Sequence, residues 1–184
     1  ISGLTGSAGA GGVMLALAAD IVLAREGVVL NPHYKTMGLY GSEYWTYSLP
    51  RAVGSEIAHK LTEECLPISA IQAQQYGMVQ AIGPRCPQAF GLWLLQQADS
   101  ALTDDKYLNA LTRKATLDTQ QVERCREQEL AQMRFDMVGN RQQFAEKCRN
   151  FVFKRKTCQT PQRLIAPWAL KYEAGVPQSR MLND

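Results

Sequence analysis

Over the first third of the chain, short apolar runs alternate with glycine- and proline-marked breaks; after residue 88 the apolar positions fall into a helical period. Residues 1–4 read as a short strand and 13–19 as an apolar helix. Residues 20–25 read as a buried strand, and 28–30 as a second one after the Glu26-Gly27 turn. Asn31-Pro32 ends that strand, because proline cannot donate to a ladder. Residues 33–41 carry two glycines and no period, which predicts a loop. Ser42 is placed to cap a helix that begins at Glu43, breaks near Pro50 and ends at Gly54. Ser55 is placed to cap 56–64, with Ile57, Ala58 and Leu61 at helical spacing. Ser69 caps 70–76, closed by Gly77 at the C′ position. A strand over 78–82 precedes four helices over 88–102, 104–116, 119–138 and 141–154, and the proline-bearing tail after Thr160 reads as irregular. The pattern therefore predicts an α/β core over 1–100 and a helical region with an irregular tail over 101–184.

One stretch stands apart chemically. Residues 9–20 read G-A-G-G-V-M-L-A-L-A-A-D, a tight glycine turn opening directly into an apolar helix. Such a helix start offers free N–H groups and a partial positive charge, suited to an oxyanion or a phosphate. No G-K-[ST] follows, so it is not a Walker loop, and the glycine spacing does not give G-x-G-x-x-G. Glycine turns of this kind are as often purely structural.

Composition narrows the setting. The 184 residues are 46% apolar, which suits one globular domain or part of a larger one, and the opening Ile1 suggests a piece of something longer. A net charge of +3 asks for neither nucleic acid nor a membrane surface. No apolar run approaches the roughly 20 residues of a membrane span. The five cysteines (65, 86, 125, 148, 158) form no C-x-x-C pair and no zinc spacing, so no metal site is expected. Their scatter suits a reducing, cytoplasmic compartment, and they read as buried small apolar residues. Residues 120–137 place Val122, Cys125, Leu130, Met133 and Met137 among charges, as an amphipathic packing helix would.

The glycine stretch, with L-P-R-A-V-G at 49–54 and I-S-A-I-Q-A-Q-Q-Y-G-M-V at 68–79, resembles the enoyl-CoA hydratase/isomerase (crotonase) superfamily over residues 1 to about 83. The resemblance implies the C-terminal half of a spiral of β-β-α units that binds coenzyme A as an acyl thioester. It makes the Gly11 N–H the second oxyanion donor, with Gly12 beside it. The first donor would lie on an earlier turn outside these residues, and the fragment alone would be inactive. Two departures matter. Where hydratases carry a glutamate after the glycines, this chain has Met14, which can neither accept nor deliver a proton. Behind Pro32, where their second glutamate follows a proline, stand His33 and Tyr34. Ordinary hydration is therefore not expected.

In their place runs N-P-H-Y-K-T-M-G-L-Y-G-S-E-Y-W-T-Y (31–47). This run, the F-V-F-K at 151–154 and Thr160-Pro161 are similar to the crotonase-like C-terminal domain of HypX/HoxX-type hydrogenase maturation factors. That resemblance implies decarbonylation of formyl-CoA to CO for a nickel–iron centre. It also implies an upstream formyltransferase-like domain that holds tetrahydrofolate, and hydrogenase maturation machinery as partner. A tyrosine and a glutamate form the implied catalytic pair. Glu43 is the only carboxylate of the segment; Tyr34 is the first candidate for its partner, then Tyr40, with His33 as a further catalytic candidate. Burial in an apolar pocket raises a carboxylate's pKa toward neutral, whereas a helix N-terminus favours its ionised form. The bland readings remain beside these. Glu43 could be a first-turn carboxylate, His33 a structural histidine, and Tyr44, Trp45 and Tyr47 core aromatics. Asp20 could serve a structural hydrogen bond, and Lys35 and Arg51 could be solvated charges. The run Lys154-Arg155-Lys156 could meet CoA phosphates or face solvent. Another acyl-CoA isomerase or hydrolase, or a non-catalytic CoA-binding scaffold, is the alternative function, and a homo-oligomer is a further expectation.

Overall fold

A computed structural model describes residues 1–114 and 117–155. The readings of Lys156, Cys158 and the tail after Thr160 lie outside them. The chain divides into two compact units, Ile1–Cys148 and Arg149–Asp184. Its strands are β1 (Ser2–Leu4), β2 (Ala8–Gly9), β3 (Val22–Arg25), β4 (Val29–Asn31), β5 (Ile68–Ser69) and β6 (Ala81–Gly83). Its helices are α1 (Gly11–Leu17), α2 (Trp45–Val53), α3 (Ser55–Glu64), α4 (Ala70–Gln75), α5 (Pro87–Ser100), α6 (Asp105–Lys114), α7 (Thr119–Met137) and α8 (Phe144–Val152).

The strands form two small sheets. In the first, β1-β3-β6, every pair is parallel; in the second, β2 runs parallel to β4 and β5 antiparallel to it. β3 is the hinge of the core. Val22 and Ala24 point into a cluster with Val13, Leu17, Leu49 and Leu61, while Ile21 and Leu23 join Ala101 and Tyr107 on the other face. Successive side chains of a strand take opposite faces, so a strand covered on both sides shows the unbroken apolar run I-V-L-A.

The α/β core with a following helical region agrees with the pattern, and three local readings change. α2 starts at Trp45, with Tyr44 as N-cap in the left-handed region (φ 56°), so Ser42 does not cap it and Glu43 lies outside its first turn. Pro50 sits inside α2 without breaking it. Leu49 and Val53, both buried, hold the two halves on the core, and Gly54 (φ 82°) ends the helix by donating its N–H to Pro50 O. Ser55 is the first residue of α3 rather than its cap; that position belongs to Gly54. Ser69 does cap α4, through a capping box with Gln72, and Gly77 follows with φ 85°. Two two-residue strands, β2 and β5, were too short to leave a period in the sequence. Cys65, Cys125 and Cys148 are partly exposed and Cys86 exposed, so none of the described cysteines is the buried apolar residue expected. Among the described residues no helix is long and apolar enough to cross a membrane.

Candidate active site

The glycine turn is built differently from the pattern's suggestion. Positive φ falls on Ala10 (48°), not on Gly9, Gly11 or Gly12. Gly11 is needed for space: a Cβ there would stand 3.1 Å from Cδ and Oε1 of Glu43. Ala10 is tied to β4 by its N–H to Asn31 O (2.9 Å), and Val13 and Met14 turn their amides back onto Ala10 O. The Gly11 and Gly12 amides thus open α1, where an N–H has no intrahelical acceptor. Met14, 2% exposed, lies one turn further on and accepts a long hydrogen bond from Ser48 Oγ (3.7 Å).

The segment from β4 to α2 brings the other candidates in. Asn31 O accepts from the His33 N–H, and a 3-10 turn over Lys35–Met37 ends at Gly38 in the left-handed region. Gly41 has φ 97°, and the Tyr34 ring lies flat enough against it that a Cβ would stand 2.5 Å from Cδ2. The loop can therefore close over the ring only with glycine at 41. The Tyr34 hydroxyl is buried and has no partner meeting hydrogen-bond geometry. Burial, reinforced by the neighbouring Glu43 carboxylate and then by Glu129, pushes its ionisation far above the ordinary phenol range. Tyr34 is thus a neutral O–H beside Glu43, whose Oε2 accepts from the Ser42 N–H (3.0 Å).

The free amides at the start of α2 are already engaged. Glu129 of α7, fully buried, accepts from Tyr44 N (2.8 Å) through Oε2 and from Thr46 N (2.8 Å) and Oγ1 (2.6 Å) through Oε1. Burial raises its pKa, those hydrogen bonds pull it back, and Glu43 raises it slightly. One turn on, Met133 Sδ accepts from Gly41 N (3.3 Å), and the buried Asp136 accepts from Tyr40 N (2.7 Å) and pairs with Arg141 (2.7 Å). The inward face of α7 is therefore Val122, Cys125, Glu129, Met133 and Asp136. Leu130 and Met137 face outward, contrary to the amphipathic reading, because the helix is held inward by carboxylates instead of by apolar residues alone.

Glu43 opens into a cleft of about 420 Å³, lined also by Met14, Leu17, Tyr44, Tyr47, Ser48 and Val122, with Asp20 and Arg51 among its polar residues. Its walls are largely apolar. Tyr47 is buried beneath Arg51, whose guanidinium lies 5.1 Å from the ring centroid. Tyr40 faces elsewhere: its ring meets Trp45 (5.3 Å), and it lines a smaller cavity of about 180 Å³ shared with Tyr34, Leu39 and Gln142. Burial also raises its pKa. His33 is buried with Nδ1 unpartnered, and burial lowers its pKa, which favours a neutral imidazole; it does not line the cleft. Lys35 is ion-paired with Glu63 on the surface. Lys154 belongs to the second unit, where its ammonium lies 5.5 Å from the Phe151 ring centroid. Gly11 therefore packs against Glu43, and Tyr34 stands beside Glu43 but lines the smaller cavity and not the cleft. Glu129 and Asp136 went unnoticed because, among the charges of α7, they look like a solvated face.

The parallel strands and the glycine turn that opens α1 agree with the sequence match. The chain belongs to the enoyl-CoA hydratase/isomerase family, which it matches over residues 1–160. It is 36% identical over 168 residues to hydrogenase maturation factor HoxX of Bradyrhizobium diazoefficiens, covering 88% of this chain and 29% of that protein. It superposes on HypX of Aquifex aeolicus, solved with tetrahydrofolic acid, with a TM-score of 0.75 and 38% identity over 86% of this chain and 29% of the other. An enoyl-CoA hydratase/isomerase of Pseudoalteromonas atlantica shares the fold (TM-score 0.67, 20% identity, 86% and 63% covered). The chain thus spans under a third of the length of its HoxX and HypX relatives.

Proposed function

We propose that this chain supplies the acyl-thioester site of a formyl-CoA decarbonylase that provides CO for nickel–iron hydrogenase maturation. The observation that carries the reading is the Glu43 carboxylate packed against Gly11, with the neutral Tyr34 phenol beside it. Glu43 takes the formyl proton; the C–H electron pair stays on carbon, and the C–S bond breaks with its pair on sulfur. Carbon leaves as CO. Glu43 then returns the proton to the thiolate, so HC(=O)–S–CoA becomes CO and HS–CoA with no oxidant or reductant. The Gly11 N–H holds the carbonyl oxygen, a contact worth about 3–4 kcal/mol when aimed at developing charge. The neutral Tyr34 O–H, beside Glu43, supports that carboxylate without ionising. Met14 at the hydratase position leaves water without a base. Gly12, beside Gly11 at the start of α1, is a proposed contact for bound coenzyme A. Tetrahydrofolate belongs to a separate formyl-transferring domain, in keeping with the HypX structure solved with tetrahydrofolic acid.

A second reading has one observation behind it: the cleft is far larger than a one-carbon acyl group. Isomerisation or hydrolysis of a longer acyl-CoA by Glu43 would use that space. Full-length protein incubated with formyl-, acetyl- and crotonyl-CoA, with reduced haemoglobin and a thiol reagent as reporters, separates the two. CO and thiol from formyl-CoA, lost in Tyr34→Phe, support decarbonylation. Turnover of a longer ester without CO supports the second reading, and binding without turnover leaves only a CoA-binding scaffold.

A further inference from the structure

Glu129 has the features of a group retained for its position. It is fully buried, yet among the described residues its hydrogen-bond partners are the Tyr44 and Thr46 amides and the Thr46 hydroxyl, all just after Glu43. We propose that Glu129 is a positioning residue that holds the Glu43 carboxylate against Gly11 by fixing the backbone at Tyr44 and Thr46. The inference rests on Glu43 being the proton-transfer group.

Tyr44 is the residue that needs holding. A tyrosine at φ 56° is strained, since its Cβ crowds the backbone there. Relaxing that one residue to ordinary φ would swing Glu43, its immediate neighbour, away from the glycine turn. Both oxygens of a carboxylate accept, so Glu129 can take the Tyr44 amide on one oxygen and the two Thr46 donors on the other. A glutamine offers one accepting oxygen and turns its own N–H groups toward a backbone N–H. Thr46 Oγ1 closes the arrangement at 2.6 Å. The grip continues along the same face of α7, where Met133 holds Gly41 and Asp136 holds Tyr40, so the 40–46 segment is fastened at both ends. A cap serving only α2 would need the Thr46 contacts; the bond to Tyr44 serves the strained turn that carries Glu43.

The test compares Glu129→Gln and Thr46→Val with wild type in the full-length protein. Three quantities are read: CO release from formyl-CoA, formyl-CoA affinity, and backbone hydrogen exchange in peptides covering 40–47 and 55–64. Glu129→Gln is expected to lower kcat about 10- to 100-fold, the range that a 1 Å misplacement costs, with affinity within about twofold. Exchange should accelerate in 40–47 and stay unchanged in 55–64. Thr46→Val, which removes only the hydroxyl bond, should fall between the two; it also tests the proposal if Glu129→Gln does not fold. Wild-type exchange in 40–47, or unchanged kcat per folded molecule, overturns the proposal. Wild-type protein that releases no CO counts against the decarbonylase reading alone, and the exchange measurement then decides the role of Glu129 by itself.

Discussion

Replacing Gly11 with alanine separates the stability of the turn from its chemistry. The new methyl carbon would stand 3.1 Å from Cδ and Oε1 of Glu43 and 3.3 Å from its Cγ. That is tighter than ordinary contact by a few tenths of an ångström, and the contact involves the carboxylate end of the Glu43 side chain. Gly11 does not have positive φ, so alanine meets no backbone strain, and as the first residue of α1 it adds helix propensity. Propensity alone would stabilise the protein by up to about 1 kcal/mol. Turnover moves the opposite way: a displaced Glu43 and an obstructed Gly11 N–H together should lower kcat about 100-fold, the scale of losing one oxyanion donor or misplacing one reacting group. Thermal unfolding and CO release from formyl-CoA, measured on the same preparation, decide the matter. A melting temperature equal to or above wild type with CO release nearly abolished is the expected pair. Wild-type turnover in Gly11→Ala would refute the role given to Glu43 against the turn.

Gly41→Ala should be worse on both counts, because φ is 97° and the Tyr34 ring occupies the space; a loss of about 1–3 kcal/mol in urea unfolding is expected. Leu49→Ala, at a position with no exposure between α1 and the rest of the core, should cost about 2–5 kcal/mol in the same assay. Ser69→Ala removes one half of the α4 capping box and should cost about 0.5–2 kcal/mol without touching turnover. The folded-state pKa of Glu129 is raised above its unfolded value, so the folded state binds more protons and this group's contribution falls as pH rises. Stability measured from pH 4.5 upward should therefore decline more steeply in wild type than in Glu129→Gln, and parallel profiles would contradict the shift.

The sequence revealed what repeats or what is chemically unusual. The glycine turn, the buried run of β3, the Ser69 cap and Gly77 are all local signals, and each marks the element it suggests. Glu43 and Gly11 were singled out only through resemblance, and their contact was not legible, since a single carboxylate in an aperiodic loop carries no spacing. The start of α2 was misread for a physical reason: its cap is supplied by Glu129, 83 residues from Thr46, so the nearest serine looked like the cap. Pro50 was misread because proline's local cost is offset by burial of Leu49 and Val53, which no window around residue 50 weighs. Glu129 and Asp136 were hidden because their burial depends on where α7 docks, and the charges around them favour a solvent-facing reading.

Single-turnover CO release from formyl-CoA, followed with reduced haemoglobin for wild type and Glu43→Gln side by side, tests the central claim most directly. The account predicts one CO per CoA thiol from wild type, and a rate at least about 100-fold lower from Glu43→Gln, the scale of losing a positioned acid–base group. No CO from wild type, or CO released at the wild-type rate by Glu43→Gln, would contradict it.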